Sequence, residues 1–159
     1  MTKGTIDKIS KLHPSVRDEV SNIINEINTS VLTGDSKVII TQGLRTFAEQ
    51  DALYAQGRTK PGKKVTNAKG GQSVHNYGFA IDIALIIKDK EVSWDIKKDW
   101  DKDNQSDWME VVSVFKKYNW SWGGDWVSFK DMPHFDKKGF GDWKKLSKLN
   151  KDKNGYVII

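Results

Sequence analysis

The stretch Gly70–Ile86 reads GGQSVHNYGFAIDIALI, and its second half has the makings of a buried strand. Within it stands Asp82, with His75 seven residues earlier. A buried charge stripped of its partner costs about 3–5 kcal/mol, so Asp82 requires a compensating group. Successive side chains of a strand point to opposite faces. Phe79, Ile81, Ile83 and Leu85 therefore share one face, which is predicted to join the core. Ala80, Asp82 and Ala84 share the other, where the small alanines leave room for a ligand beside the carboxylate. Gly78 permits a turn just ahead of the strand, so that His75 can fold back toward Asp82.

Outward from this strand, the chain alternates helical and extended patterns without repeats. Val16, Val20, Ile23, Ile24 and Ile27 recur at helical spacing from Pro14 to about Asn28, with proline suited to the first turn. KVIITQGLR reads as a short strand ending at Gly43. TFAEQDALYAQG reads as a helix with Thr46 as N-cap, Glu49 completing a capping box and Gly57 past its end. A long polar loop, Arg58–Gln72, leads to the quoted stretch; loops of this length inside a domain are usually functional or disordered. A hairpin turn through Lys88–Lys90 and an amphipathic helix, SDWMEVVSVFKKYN, follow, the latter with Trp108, Val111, Val112 and Phe115 on one face. Helices mixed with short strands in this order predict an α+β domain. A single catalytic domain is expected over 1–159, with 137–159 as a basic C-terminal extension.

The composition narrows the chemistry. No cysteine is present, which excludes disulfides, thiolate zinc sites and a cysteine nucleophile. Only His13, His75 and His134 are available as imidazoles. The net charge of +5 suits an anionic partner, or simply a lysine-rich solvated surface. The polar start, MTKGTIDKISKLHPSVRDEV, lacks the apolar core of a signal peptide, and no apolar run approaches a membrane span. The expectation is a chain made in the cytoplasm with no membrane anchor.

Two imidazoles and one carboxylate are a common catalytic zinc set that leaves a position for water. With His75 and Asp82 as the first two ligands, His134 in KDMPHFD is the better third. His13, in the polar lead into the first helix, reads as part of a helix-start turn. Asp131 stands three residues before His134, and Pro133 makes the irregular entry that would bring its carboxylate to the metal's edge.

Ser73-Val74-His75-Asn76-Tyr77-Gly78-Phe79-Ala80-Ile81-Asp82 fills every fixed position of an S-x-H-x-x-G-x-A-x-D pattern. In this it resembles the zinc peptidases that cut peptidoglycan stem peptides: the D-alanyl-D-alanine carboxypeptidases and dipeptidases, and the L-alanyl-D-glutamate endopeptidases, including phage endolysins. TQGLRTFAEQ is similar to the segment carrying that family's substrate-binding arginine, here Arg45. KKVTNAKGGQSVHNYG resembles the approach seen in the endopeptidase branch, and DMPHF resembles the second motif, acid-x-x-His. The likeness runs from about His13 to Asp136 and leaves the tail uncovered. Carboxypeptidase members usually have glutamate as base, whereas Asp131 resembles the L-alanyl-D-glutamate group.

The resemblance implies a small antiparallel sheet with flanking helices, a fold shared with hedgehog signalling domains. It also implies Zn²⁺ held by His75, Asp82 and His134, Asp131 as base, and Arg45 at the developing oxyanion. Retention of Asp131 and Arg45 argues for an enzyme and against the hedgehog-like members. Ser73 and Trp122 are expected to bind substrate, and Asp125 and Trp126 are further candidates for the cleft wall. The implied reaction is hydrolysis of the L-Ala–D-Glu bond of the stem peptide. The alternatives are a D-alanyl-D-alanine carboxypeptidase on the same scaffold, or a zinc-bearing wall-binding module without turnover. A monomeric, phage-type endolysin reaching the wall after release, or an exported autolysin, is the biology implied. No nucleic-acid partner is expected, and the basic tail is a candidate contact for anionic wall material.

Overall fold

The computed structural model describes residues 1–159. Two helices open the chain, α1 (Lys3–Lys11) and α2 (Pro14–Glu26), and a π-helical turn (Ile27–Val31) prolongs the second. After β1 (Ser36–Gln42) comes α3 (Phe47–Ala55), then the long loop and a 3-10 turn (Val74–Tyr77) that delivers the chain into β2 (Ala80–Ile87). β3 (Glu91–Ser93) completes the hairpin, and α4 (Asp107–Lys117), β4 (Trp120–Trp122), β5 (His134–Lys137) and the short α5 (Trp143–Leu146) follow.

All strand pairings are antiparallel, in the order β1-β2-β5-β4. β2 is the spine of the sheet. One of its edges pairs with β1, while the other is shared by β5 at Ala80–Asp82 and β3 at Leu85–Ile87. This register sets Asp82 directly between Gln42 and His134.

The alternation within β2 works as its sequence suggests. Phe79, Ile81, Ile83 and Leu85 are fully buried in one cluster with Val16, Val20, Ile23 and Ile24 of α2 and Trp108, Val111, Val112 and Phe115 of α4. Phe115 stacks on Phe135 of β5 with ring centroids 4.4 Å apart, which ties α4 to the strand that carries His134. Ala80 and Ala84 are also fully buried, so on the opposite face only Asp82 and, farther along the strand, Ile86 retain contact with solvent. At α3 the capping differs from a capping box. Thr46 Oγ1 accepts from the Glu49 N–H at 3.1 Å, but Glu49 takes the Thr46 hydroxyl, at 2.9 Å, and not its main-chain N–H.

The segment after Asp136 is built into the body rather than appended to it. Leu146 and Val157 lie in the main core cluster. His13 caps α2 through Nδ1 and meets the Val157 carbonyl through Nε2, at 2.8 Å. Its ring stacks on Phe79 at 4.4 Å, and its main-chain N–H donates to the Gly78 carbonyl at 3.0 Å. Gly78 itself is left-handed, with φ of 78°, and a Cβ there would lie 2.4 Å from the His13 nitrogen. No helix is long and apolar enough to cross a membrane.

Leu146→Ala tests the place of the tail. Removing a fully buried leucine side chain should cost about 2–5 kcal/mol, read from the midpoint of urea unfolding. A solvated extension would leave that midpoint unchanged.

Candidate active site

His75 is positioned by a turn that is hydrogen-bonded throughout. Ser73 caps the 3-10 turn by accepting from the His75 N–H, at 3.3 Å. Asn76 Oδ1 accepts from the N–H groups of Gly71 and Ser73, and its Nδ2 donates to the Arg45 carbonyl at 2.9 Å. The Arg45 N–H donates to the His75 carbonyl at 3.0 Å, so the motif turn and the arginine segment hold each other. Beyond Gly78 the chain enters β2, which brings Asp82 back against the ring it had left.

Three donor atoms converge there. His75 Nε2 lies 3.3 Å and His134 Nδ1 3.4 Å from Asp82 Oδ1, and the two nitrogens are 3.2 Å apart. Each ring is held from behind. His75 Nδ1 donates to the Gly43 carbonyl at 2.9 Å, and His134 Nε2 donates to Asp136 Oδ2 at 2.9 Å. With those protons on the outer nitrogens, the inner nitrogens direct their lone pairs at one another and at a carboxylate oxygen. Such a cluster is stable only around a positive charge. In the metal-free chain a proton supplies it. Burial opposes the charged form of His134, but hydrogen bonds to Asp136 and Asp82 prevail and push its pKa up to about 9. Burial likewise works against the Asp82 anion, and the two histidines outweigh it, holding the carboxyl well below the usual range.

The cluster floors an open groove of about 860 Å³. Lys64–Ala68 and Gln72 of the long loop line it, together with Trp126, Phe129, Lys130, Asp131 and Trp143. The loop is pinned by Arg58, which donates to the Thr66 carbonyl at 2.9 Å, and by the buried Gln50, which donates to the Ala68 carbonyl at 2.9 Å. Gln50 also accepts from Arg45 Nη1 at 2.9 Å. Arg45 Nη2 stands 3.9 Å from Asp82 Oδ2, while its Nε is buried without a partner. Asp131 is half-buried in the wall. Burial first, and then the charge of Asp82, raise its pKa; His134, His75 and Arg45 pull the other way.

His75, Asp82, His134, Asp131, Arg45 and Ser73 thus meet in one groove, as their motifs imply. Trp122 does not. It is buried in the core and donates through Nε1 to the Met132 carbonyl at 2.7 Å, because β4 pairs with β5 and turns that side chain inward. The tryptophans of the wall are Trp143 and Trp126, the latter with its ring 5.1 Å from that of His134. Asp125 faces solvent and pairs with Lys116 at 2.7 Å. Asp136 escaped the sequence reading, although a residue two positions after His134 in a strand falls on the same face.

Two imidazoles and a carboxylate at the floor of a peptide-sized groove, with a second carboxylate and a guanidinium alongside, define a metallohydrolase. Residues 66–137 match the family model described as D-alanyl-D-alanine carboxypeptidase. The chain is 46% identical over 127 residues to the peptidoglycan L-alanyl-D-glutamate endopeptidase CwlK of Bacillus subtilis, an alignment covering 80% of this chain and 74% of that protein. It is 31% identical over 107 residues to an L-alanyl-D-glutamate peptidase of a Listeria phage, covering 66% of this chain and 32% of the relative. Among solved structures, the Serratia marcescens L-Ala D-Glu endopeptidase ChiX shares the fold with a TM-score of 0.55 at 19% identity, over 87% of this chain and 89% of the other. The chain belongs to the D-alanyl-D-alanine carboxypeptidase family of zinc peptidases. Its donor set fits the zinc ion of that family: two nitrogens and one carboxylate oxygen lie within 4.8 Å of one another, with both rings oriented by acceptors behind them.

Asp136 gives the sharpest test of this arrangement. Loss of the acceptor behind a ligating histidine typically costs about 10–100-fold in metal affinity. Asp136→Ala should show that loss in competition with a chromogenic zinc chelator, with the fold retained by circular dichroism.

Proposed function

We propose that the chain hydrolyses the L-Ala–D-Glu bond of peptidoglycan stem peptides. The observation that carries this reading is an aspartate, Asp131, standing in the wall of a groove open enough for a peptide to run through. The identity with the Bacillus subtilis endopeptidase supports it. In this reading His75, Asp82 and His134 hold the zinc. Bound zinc supplies Lewis-acid chemistry, bringing a water's pKa down to about 7 and polarising the scissile carbonyl.

The protein's own groups do the rest. Asp131 accepts the proton of the attacking water and passes it to the departing amine of D-Glu. Arg45, oriented by Gln50, offers its guanidinium to the negative charge that develops on the carbonyl oxygen. Ser73 and Trp126 line the path of the peptide. A wall-directed lytic role, as in a phage endolysin or an autolysin, is the setting we propose. Lys144, Lys145, Lys148, Lys151 and Lys153 are exposed and suited to anionic wall polymers.

Digestion of purified sacculi, followed by mass spectrometry, is the test of bond choice. The expected products carry a new D-Glu amino terminus. Loss of terminal D-Ala alone would instead make the enzyme a carboxypeptidase.

Asp131→Asn should retain zinc and fold while turnover falls by about 10²–10⁴-fold, the usual worth of a general base. Near-normal turnover with zinc bound would assign the proton transfer to another group.

A further inference from the structure

The chain between β3 and α4 holds a second concentration of oxygen donors, far along the sequence from the zinc ligands. Asp99-Trp100-Asp101-Lys102-Asp103-Asn104-Gln105-Ser106-Asp107-Trp108-Met109-Glu110 places carboxylates at the first, third, fifth, ninth and twelfth positions of a twelve-residue stretch. A loop that wraps a hard divalent cation and runs into a helix uses this spacing, with a main-chain carbonyl at the seventh position and a sharp turn at the sixth. Here the seventh residue is Gln105, and the sixth, Asn104, is left-handed with φ of 74°.

Side-chain oxygens of Asp99, Asp101 and Asp107 lie within 4.8 Å of one another, as do those of Asp101, Asp103 and Glu110. Asp101 belongs to both groups and joins them into one cluster. An independent observation points to a ligand. Asp101 Oδ1 and Glu110 Oε2 are each closed off from solvent, with less than 1 Å² exposed, and neither has a hydrogen-bond partner. In a chain with 26 Lys and Arg residues, no ammonium or guanidinium nitrogen lies within 4.0 Å of any of these five carboxylates. Burial and the charges of Asp103, Asp101 and Asp107 push the Glu110 carboxyl up to about 7. These anions lack the cation that would justify their grouping.

Other oxygens of the cluster accept main-chain hydrogen bonds that shape the loop. Asp99 Oδ1 takes the N–H groups of Lys102 and Asp103, at 2.6 and 3.3 Å, and Asp103 Oδ1 takes that of Gln105 at 2.8 Å. Asp99 Oδ2 takes only that of Asn104, at 2.9 Å, which leaves it a lone pair for an ion. Asp101 Oδ2 accepts from the Thr33 N–H and hydroxyl, both at 3.1 Å, which fixes the side chain and leaves Oδ1 free. Asp107 accepts from the Trp100 N–H at 2.8 Å and from the Ser36 hydroxyl, so both of its oxygens are occupied. That suits the ninth position, which commonly reaches the ion through water.

We propose that Asp99–Glu110 is a calcium-binding loop, in which the carboxylates of Asp99, Asp101, Asp103 and Glu110 and the carbonyl of Gln105 take up one Ca²⁺. Oxygen-only donors select a hard cation over zinc, and a carboxylate-rich loop favours calcium over magnesium, which dehydrates reluctantly. The ion would fasten the start of α4, whose far end pairs through Lys116 with Asp125, next in sequence to Trp126 of the groove wall.

The test uses the full chain, stripped of metal, reloaded with zinc and titrated with CaCl₂ in a calorimeter and in thermal unfolding. One Ca²⁺ per chain is expected, with a Kd of about 10⁻⁵ M or tighter, within the range of sensor loops. The unfolding midpoint should rise by several degrees at millimolar calcium and respond far less to MgCl₂. Asp101→Asn and Glu110→Gln should each weaken binding by at least about tenfold. Glu110→Gln should also raise the midpoint of the calcium-free protein by relieving repulsion, an effect that a merely damaged fold would not give. The proposal is overturned by any of three results: no heat and no shift up to about 10 mM CaCl₂, beyond the weakest known modules; an equal response to MgCl₂; or wild-type calcium affinity in Glu110→Gln.

Discussion

An imidazole can present a lone pair to a cation only from the nitrogen that does not hold its proton. The site depends on settling that choice twice. Gly43, at the end of β1, takes the outer proton of His75, and Asp136, on β5, takes that of His134. The strands flanking β2 on either side thus each supply one orienting acceptor, and β2 supplies the carboxylate between them. Sheet order and ligand geometry are therefore one requirement. A register slip of one residue in β5 would turn His134 away from Asp82 and bury it against the core.

The same economy explains why the turn before β2 is so heavily hydrogen-bonded. A 3-10 turn of four residues has little stability of its own. Ser73, Asn76 and Tyr77 compensate by satisfying main-chain groups across the turn, and the Tyr77 hydroxyl donates to the Gly71 carbonyl at 2.7 Å. Asn76 and Tyr77, which do not face the groove, hold in place the residues that do, and Ser73 serves both ends. Arg45 shares in this, since its main chain is bonded to the turn while its side chain lies along the floor.

Much of this was legible in the sequence because it is periodic or local. The alternation in β2 separates Asp82 from the core face, and the caps of α2 and α3 mark where those helices begin. The resemblance of the His75 and His134 motifs brought together residues far apart in the chain. What escaped depends on contacts between distant segments. Trp122 and Trp126 stand four residues apart in WSWGGDW, and only the pairing of β4 with β5 sends the first into the core and leaves the second in the wall. Asp136 falls on the two-residue period from His134, but it lies outside both motifs. The acidic spacing from Asp99 to Glu110 was masked by the helix that begins inside it. The lysines of the tail drew notice, whereas Leu146 and Val157, which anchor it, are isolated apolar residues in a polar stretch.

The clasp at His13 links α1 and residues 156–157 to the turn that bears His75. Tyr156 donates to the Lys11 carbonyl at 3.0 Å, Val157 meets the His13 ring, and His13 in turn lies against Gly78 and Phe79. On the ribosome, residues 156 and 157 emerge long after the helices and the metal-binding motif have been made. Until they do, a nascent chain lacks the fastening behind its own active-site turn. Synthesis in this order carries a built-in delay between making His75 and securing the turn that bears it.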